Sequence, residues 1–269
     1  PPNIQVNMQY ALQQPTNFPR FLDSYQSGLL ENEAAKNDGM PAVFSDQELE
    51  YYKTGLKPYD YPNTDWYKEI IREYSPQKTV NINIGGGSKF VKYFVSGSYL
   101  RQEPVYNHAN ENVYGIKYKY DRFNFRSNVD ITLDKNTDLQ VDLASRLENR
   151  TSPSADRGNN EFFWVLLSQM TNHLTPVLNP DGSIASGTMR EDFYNLYGVL
   201  TRNGYLDAYW HSTNGSVALT RKLDFITPGL KVKGLFTFEN YGDINFALDQ
   251  DFNSYLSQSE PGTVDTYTQ

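Results

Sequence analysis

The chain has 269 residues, 38% hydrophobic and 14% aromatic, with 21 Tyr, no Cys and a formal net charge of −8. The negative charge argues against a nucleic-acid binder, and the lack of cysteine excludes disulfides and thiolate metal sites. No apolar run is long enough for a membrane-spanning helix, which leaves open the short, half-apolar strands of a β-barrel.

The first expected strand is 3–10, where Ile4, Val6, Met8 and Tyr10 alternate with Asn3, Gln5, Asn7 and Gln9. Residues 22–36 place Leu22, Tyr25, Leu29 and Leu30 at helical spacing. Ser45-Asp46-Gln47-Glu48 has the form of a capping box opening a short helix, with Gly55 placed to close it. Asn63-Thr64-Asp65 caps a third helix running to about Glu73. A β-hairpin follows, with strands near 78–84 and 90–100 around Gly85-Gly86-Gly87. Val80, Ile82 and Ile84 face one way, as do Val91, Tyr93, Val95 and Tyr99 after the turn; Asn81, Asn83, Lys92, Ser96 and Ser98 face the other.

After a polar loop at 101–112, Tyr114, Ile116, Tyr118 and Tyr120 continue an alternation whose phase slips at Asp121-Arg122. Such a slip signals a β-bulge, or a strand rising well out of the packed region. Phe123, Phe125, Val129, Ile131 and Leu133 keep the new phase to the turn at 134–138, and Leu139, Val141, Leu143 and Leu147 carry the next strand. Residues 151–212 read as a long insertion with a helix at 160–172 and a turn at Asn179-Pro180-Asp181-Gly182. Two more strands are expected near 214–224 and 230–241, joined at Pro228-Gly229. The remaining 242–269 is polar with no clear partner strand.

Long and short connections alternate without exception through this order. All tight turns therefore lie at one end and all long loops at the other, as in an up-and-down outer-membrane barrel. The polar strand face carries Lys92, Arg126, Asp130, Asp142, Arg146, Glu148, Lys231, Lys233 and Glu239, which require water. The pattern also fits a curved antiparallel sheet with one face on a soluble core. Seven strands is an odd number where single-chain barrels use even ones. With that count, and starting at Pro1-Pro2 without Met, the chain reads as a piece of a larger protein.

Catalytic signatures are missing. Gly85-Gly86-Gly87-Ser88-Lys89 lacks the spacing of a phosphate loop and precedes a strand. His108, His173 and His211 are expected in loops, scattered and without metal-ligand spacing, and no cofactor is expected. Asp249, Asp251, Asn253 and Glu260 occupy positions of a calcium-loop pattern whose glycine is replaced by Ser254. An acidic outer loop is the simpler reading. Aromatic residues assigned to the insertion, Trp164, Tyr194, Tyr197, Tyr205, Tyr209 and Trp210, are the substrate-binding candidates. Rings stack on sugars and cover apolar peptide side chains, and they also pack a loop's own core.

Asn63-Thr64-Asp65-Trp66, Gly86-Gly87, the run Tyr93 to Leu100 with Gln102-Glu103, Arg122 to Asp130, and Asn179 to Ser183 occur in an order that resembles the SusC/RagA family of TonB-dependent outer-membrane transporters. Pro104 stands where that family usually has Gly. The resemblance implies an all-β fold, here a partial transmembrane barrel: an antiparallel up-and-down meander with helical long extracellular loops. Residues 1–269 would hold the first strands and outer loops of a barrel of about 22 strands, without its plug. It implies import of a large nutrient, an oligosaccharide before an oligopeptide, and no enzymatic activity. The partners implied are a SusD-like surface lipoprotein acting as a lid, TonB through the plug, outer-membrane lipid, and a second transporter–lipoprotein pair in a dimer. The reading from another class is a soluble or surface-attached β-rich glycan-binding or adhesin module.

Overall fold

The computed structural model describes residues 2–17, 19–154, 161–186, 195–258 and 266–268. Seven long strands form one antiparallel sheet in chain order: β1 (Asn3–Gln13), β2 (Ser75–Gly87), β3 (Val91–Gln102), β4 (Lys119–Asp134), β5 (Thr137–Pro153), β6 (Gly204–Lys222) and β7 (Lys231–Asp249). The helices lie in the long connections: α1 (Ser24–Asn37), α2 (Asp46–Thr54), α3 (Trp66–Ile70), α4 (Glu161–Gln169) and α5 (Leu196–Arg202). A separate ribbon pairs β8 (Leu256–Gln258) with β9 (Thr266–Thr268). The all-β meander with helical long loops is as expected. The sheet is open, because β1 and β7 each pair on one side only within it.

Pairing register carries the sequence alternation across the sheet. Ile4, Ile84, Val95, Ser127, Leu143, Gly215 and Phe238 form one cross-strand row. The neighbouring row on the other face is Gln5, Asn83, Ser96, Arg126, Ala144, Asn214 and Glu239. Residues directly opposite share a face, so one polar and one apolar surface result.

Helix ends follow their caps. Asp23 accepts from Gln26 N–H and opens α1. Ser45 and Glu48 form both bonds of the capping box at α2, and Gly55 closes it at φ 65°. At α3 the helix stops at Ile70 rather than near Glu73. Ile71 is already extended, and the Asn107 side chain donates to the carbonyls of Lys68 and Glu69 at 2.8 Å each. These bonds satisfy acceptors that another turn would have used.

Several strand limits differ from the sequence pattern. Tyr114 and Ile116 precede β4, because Asn112 accepts from Ile116 N–H at 2.9 Å and folds 112–116 into a turn. Register runs unbroken through Asp121-Arg122, and the irregularity falls instead at Thr132/Asp134. The slip is therefore chemical, not geometric. Asp121 shares the face of Phe123, accepts from the Tyr99 hydroxyl at 2.7 Å and pairs with Lys119 at 3.0 Å. There β4 leaves the apolar band and runs toward the buried cap, where Tyr118 is 2% exposed, so neither a bulge nor a strand rising out of the packed region results. β6 starts at Gly204, ten residues before the expected 214, and β7 continues to Asp249. Asp207, His211 and Thr213 occupy the otherwise apolar face of β6 and mask its alternation. Residues 242–249, expected to lack a partner, pair with 204–211. α4 is shorter than 160–172, and α5 follows an Asn195 cap.

The buried core lies among the long connections, not on the sheet. Trp66, Ile70 and Ile71 pack with Tyr106, Ala109 and Tyr118, and with Leu166, Leu167, Met170, Leu196, Val199 and Leu200. A smaller cluster joins Phe44, Leu49 and Tyr52 under α1 and α2. Three loops thus build a cap over one end of the sheet.

Candidate functional site

Among the described residues nothing covers the apolar sheet face. Met8 is 75% exposed and Phe236 66%, and Ile4, Val6, Phe123, Leu147, Val217 and Ile244 are exposed with them. Water does not tolerate a patch of this extent on a lone soluble domain. No helix among the described residues is long and apolar enough to cross a membrane.

The opposite face is a polar wall. Arg146 pairs with Glu148 at 2.7 Å, and the Tyr120 hydroxyl donates to the same carboxylate. Asn128 donates to Asp142, which also accepts from Ser216 at 3.2 Å. Arg126, Asn128, Asp142, Asn214, Ser216 and Glu239 line a hollow of about 580 Å3. This wall is wettable and charged, the reverse of a protein core.

Where wall meets cap, a cleft of about 350 Å3 opens. β3 and its exit supply Glu103, Val105 and Tyr106; β4 and its entry supply Tyr118 and Tyr120; β5 supplies Arg150 and Ser152; α4 supplies Trp164. Trp164 is 38% exposed, with its ring centroid 6.5 Å from that of Tyr106. Among the described residues the Ser152 hydroxyl, on a residue 4% exposed, has no hydrogen-bond partner, and neither has Arg122 Nε on the polar wall. Unfilled buried donors are costly, and a ligand group or water satisfies them. The cleft combines rings, a guanidinium and a hydroxyl, groups that stack on and hydrogen-bond a polar ligand.

Of the five aromatic candidates among the described residues, Trp164 lines this cleft and the other four lie elsewhere. Tyr197 is buried in α5; its hydroxyl donates to Glu111 at 3.1 Å and its ring meets His108 edge-on. Tyr205, Tyr209 and Trp210 lie on β6 and not in a loop. Tyr205 packs against the cap core beside Tyr114. Tyr209 is on the apolar face, its hydroxyl donating to Asp207 at 2.9 Å and its ring set edge-on to Phe246. Trp210 is on the polar wall, opposite Glu148 and Asp243. Tyr194 and Glu260 lie outside the described residues. Asp249 ends β7, with Asp251 and Asn253 just beyond it. Among the described residues no group of three His, Asp or Glu side chains could hold a metal ion.

Sequence reasoning missed Tyr118, Tyr120, Arg150 and Ser152, because the cleft is assembled across three strands. It also missed a node of the cap. His108 Nε2 is 2.8 Å from Glu69 and its Nδ1 is 2.9 Å from Glu111, so one imidazole links two loops. Burial pushes the Glu111 carboxyl up. His108, the Tyr197 hydroxyl and Arg202 together outweigh that and hold it below the usual value.

No family profile matches the chain. Over 207 residues it is 26% identical to TonB-dependent receptor P3 of Formosa agariphila, a match covering 75% of this chain and 18% of that protein. Over 132 residues it is 26% identical to TonB-dependent receptor P26 of the same organism, covering 49% of this chain and 11% of that protein. The chain thus spans under a fifth of the length of these curated relatives. In fold it is similar to the RagAB peptide importer in its closed-closed state, with a TM-score of 0.64 and 15% identity over 94% of this chain and 29% of that one. A second RagAB peptide transporter structure gives a TM-score of 0.65 over 92% of this chain and 29% of that one. Likeness in sequence to TonB-dependent receptors and in fold to RagAB bears out the SusC/RagA-like reading of this chain.

Proposed function

We propose that residues 1–269 form the first seven strands and outer loops of the barrel of an outer-membrane TonB-dependent importer. The observation that carries this reading is the separation of core from apolar face. Buried side chains fill the cap, while none of the described residues lies over the apolar face of the sheet. Lipid accepts such a face, and a water-filled or plugged lumen accepts the polar wall. On this reading the tight turns face the periplasm and the capped loops face outward. The two unpaired edges, β1 and β7, are closed by further strands, since an open edge is not tolerated in a bilayer.

The importer takes up a nutrient too large for porins. An oligosaccharide is the first substrate class, supported by Trp164 at the cleft and Trp210 on the wall; an oligopeptide is the second, supported by likeness in fold to a peptide importer. A SusD-like lipoprotein closes over the loop cap, and TonB acts through a plug inside the polar wall. No bond is made or broken.

Val95 and Val141 test the reading, because both lie within the apolar face. Arginine at the middle of a bilayer costs a barrel roughly 2–4 kcal/mol. Val95→Arg and Val141→Arg are each expected to lower the yield of membrane-inserted protein, with Asn83→Arg on the polar wall as the tolerated control. Normal insertion of both valine variants would instead support a surface binding module. For substrate, Trp164→Ala is expected to weaken oligosaccharide binding by the whole transporter by roughly tenfold, the worth of one stacked ring. Calorimetric titration with oligosaccharides and oligopeptides reads both classes.

A further inference from the structure

The apolar face is not uniformly filled. On β3, Gly97 interrupts the line of Val91, Tyr93, Val95 and Tyr99. A Cβ placed there has no atom within 4 Å. The gap opens a groove of about 340 Å3 walled by Val80, Ile82, Tyr99, Phe123, Phe125 and Leu147. Tyr99 and Phe123 stack at its loop-side end, centroids 4.6 Å apart. A glycine inside a strand gives up packing and chain entropy, and often marks a close approach by another molecule.

The same end carries charge. Lys78 and Arg101 lie directly opposite each other on β2 and β3, one same-face position beyond Val80 and Tyr99. That step is about 7 Å along the strand. Like charges facing across a sheet destabilise it. Arg101 has two carboxylates beside it, Glu103 at 3.2 Å and Asp121 directly opposite on β4, and Asp121 also pairs with Lys119 at 3.0 Å. Lys78 is exposed, and among the described residues no carboxylate pairs with it. An anion at Lys78 would give that ammonium the partner Arg101 already has, and relieve the repulsion between the two cations.

We propose that this is a binding site for an anionic lipid of the outer leaflet. One acyl chain lies in the Gly97 groove, and the lipid phosphate sits at Lys78, on the side of the groove that Arg101 closes. The site rests on the apolar face being lipid-facing and goes beyond the transport reading. It gives the barrel wall a chosen lipid in place of an averaged solvent.

The test uses the whole transporter purified from membranes and transferred to nanodiscs of phosphatidylcholine mixed with dioleoylphosphatidylglycerol. Native mass spectrometry reads the lipid retained on release. Wild type is expected to keep phosphatidylglycerol in preference to phosphatidylcholine. Lys78→Gln should reduce that preference roughly fivefold, the effect of one cation near an anionic lipid surface, and leave phosphatidylcholine unchanged. Gly97→Leu fills an empty space and should remove retention of both lipids without impairing nanodisc entry. Unchanged retention in Gly97→Leu, or equal retention of the two lipids by wild type, overturns the site. Nanodisc entry is scored separately, so a wild type that enters without preference overturns this proposal alone. A wild type that cannot enter overturns the membrane reading and the site with it.

Discussion

His173 is 5% exposed, with its ring edge-on to Phe44 and Tyr52 and its Nε2 3.3 Å from Glu31. Its Nδ1 has no partner. Burial holds its pKa below the usual 6.5, although Glu31 pulls the other way. The folded state therefore binds fewer protons here than the unfolded one. Its contribution to stability is full above pH 6.5 and drains away as pH falls from there toward the lowered value. Glu111 has the same sign in a lower window: its contribution is present above the ordinary carboxylate value of 4.5 and is lost as pH falls through its depressed pKa. The cap should thus lose stability in two acid steps. His173→Phe is expected to remove the step beginning at pH 6.5, and Glu111→Gln to remove part of the step below 4.5. Thermal melts at a series of pH values, read by near-ultraviolet dichroism, check both. In the sequence these histidines appear scattered because their partners are supplied by other loops. No local pattern encodes Glu31 beside His173 or Glu69 beside His108.

Elements were legible where a local rule fixed them. The capping box at Ser45 and Glu48 is written in four consecutive residues and forms as written. Ser45→Ala should cost about 1 kcal/mol, seen as early loss of protection of the α2 amides in hydrogen exchange. The hairpin of β2 and β3, and the strands around the 134–138 turn, were clear because clean alternation met tight turns. β6 was half hidden because His211 and Thr213 sit on its apolar face, their polar atoms satisfied by Asn240 at 2.8 Å and Ser145 at 2.9 Å. Those partners come from neighbouring strands, so the alternation fails in sequence while the pairing holds in space. α5 was missed for a similar reason: its seven residues are almost wholly buried and show no amphipathic stripe. A Cβ on Gly198 of α5 would lie 2.2 Å from the Phe252 ring. Gly198→Ala should cost about 1–3 kcal/mol through overpacking and free the segment around Phe252, read as faster proteolysis after β7.

At the scale of the whole molecule, two bodies built for different solvents share one chain. The cap buries Trp66, Leu167, Met170 and Leu200 as a water-soluble domain would. The wall displays Val, Leu and Phe outward and Arg, Asp and Asn inward. Alternating connection lengths revealed the wall from sequence alone, whereas the cap's substance was invisible, since its core is pooled from three loops of unremarkable composition. The cleft inherits this limit. Trp164 was singled out, but Arg150 and Ser152 acquire meaning only when β5 meets α4.

The placement of the core in the loops has a thermal consequence. Burial in the cap is lost to water on heating, so its melting should absorb heat with a large positive heat-capacity change and be indifferent to lipid chain length. On the proposed barrel reading the apolar face stays among acyl chains until the sheet itself comes apart, so its transition should move with bilayer thickness. Scanning calorimetry of the whole transporter in thin and thick bilayers should therefore show two endotherms, the cooler one fixed and the hotter one sliding.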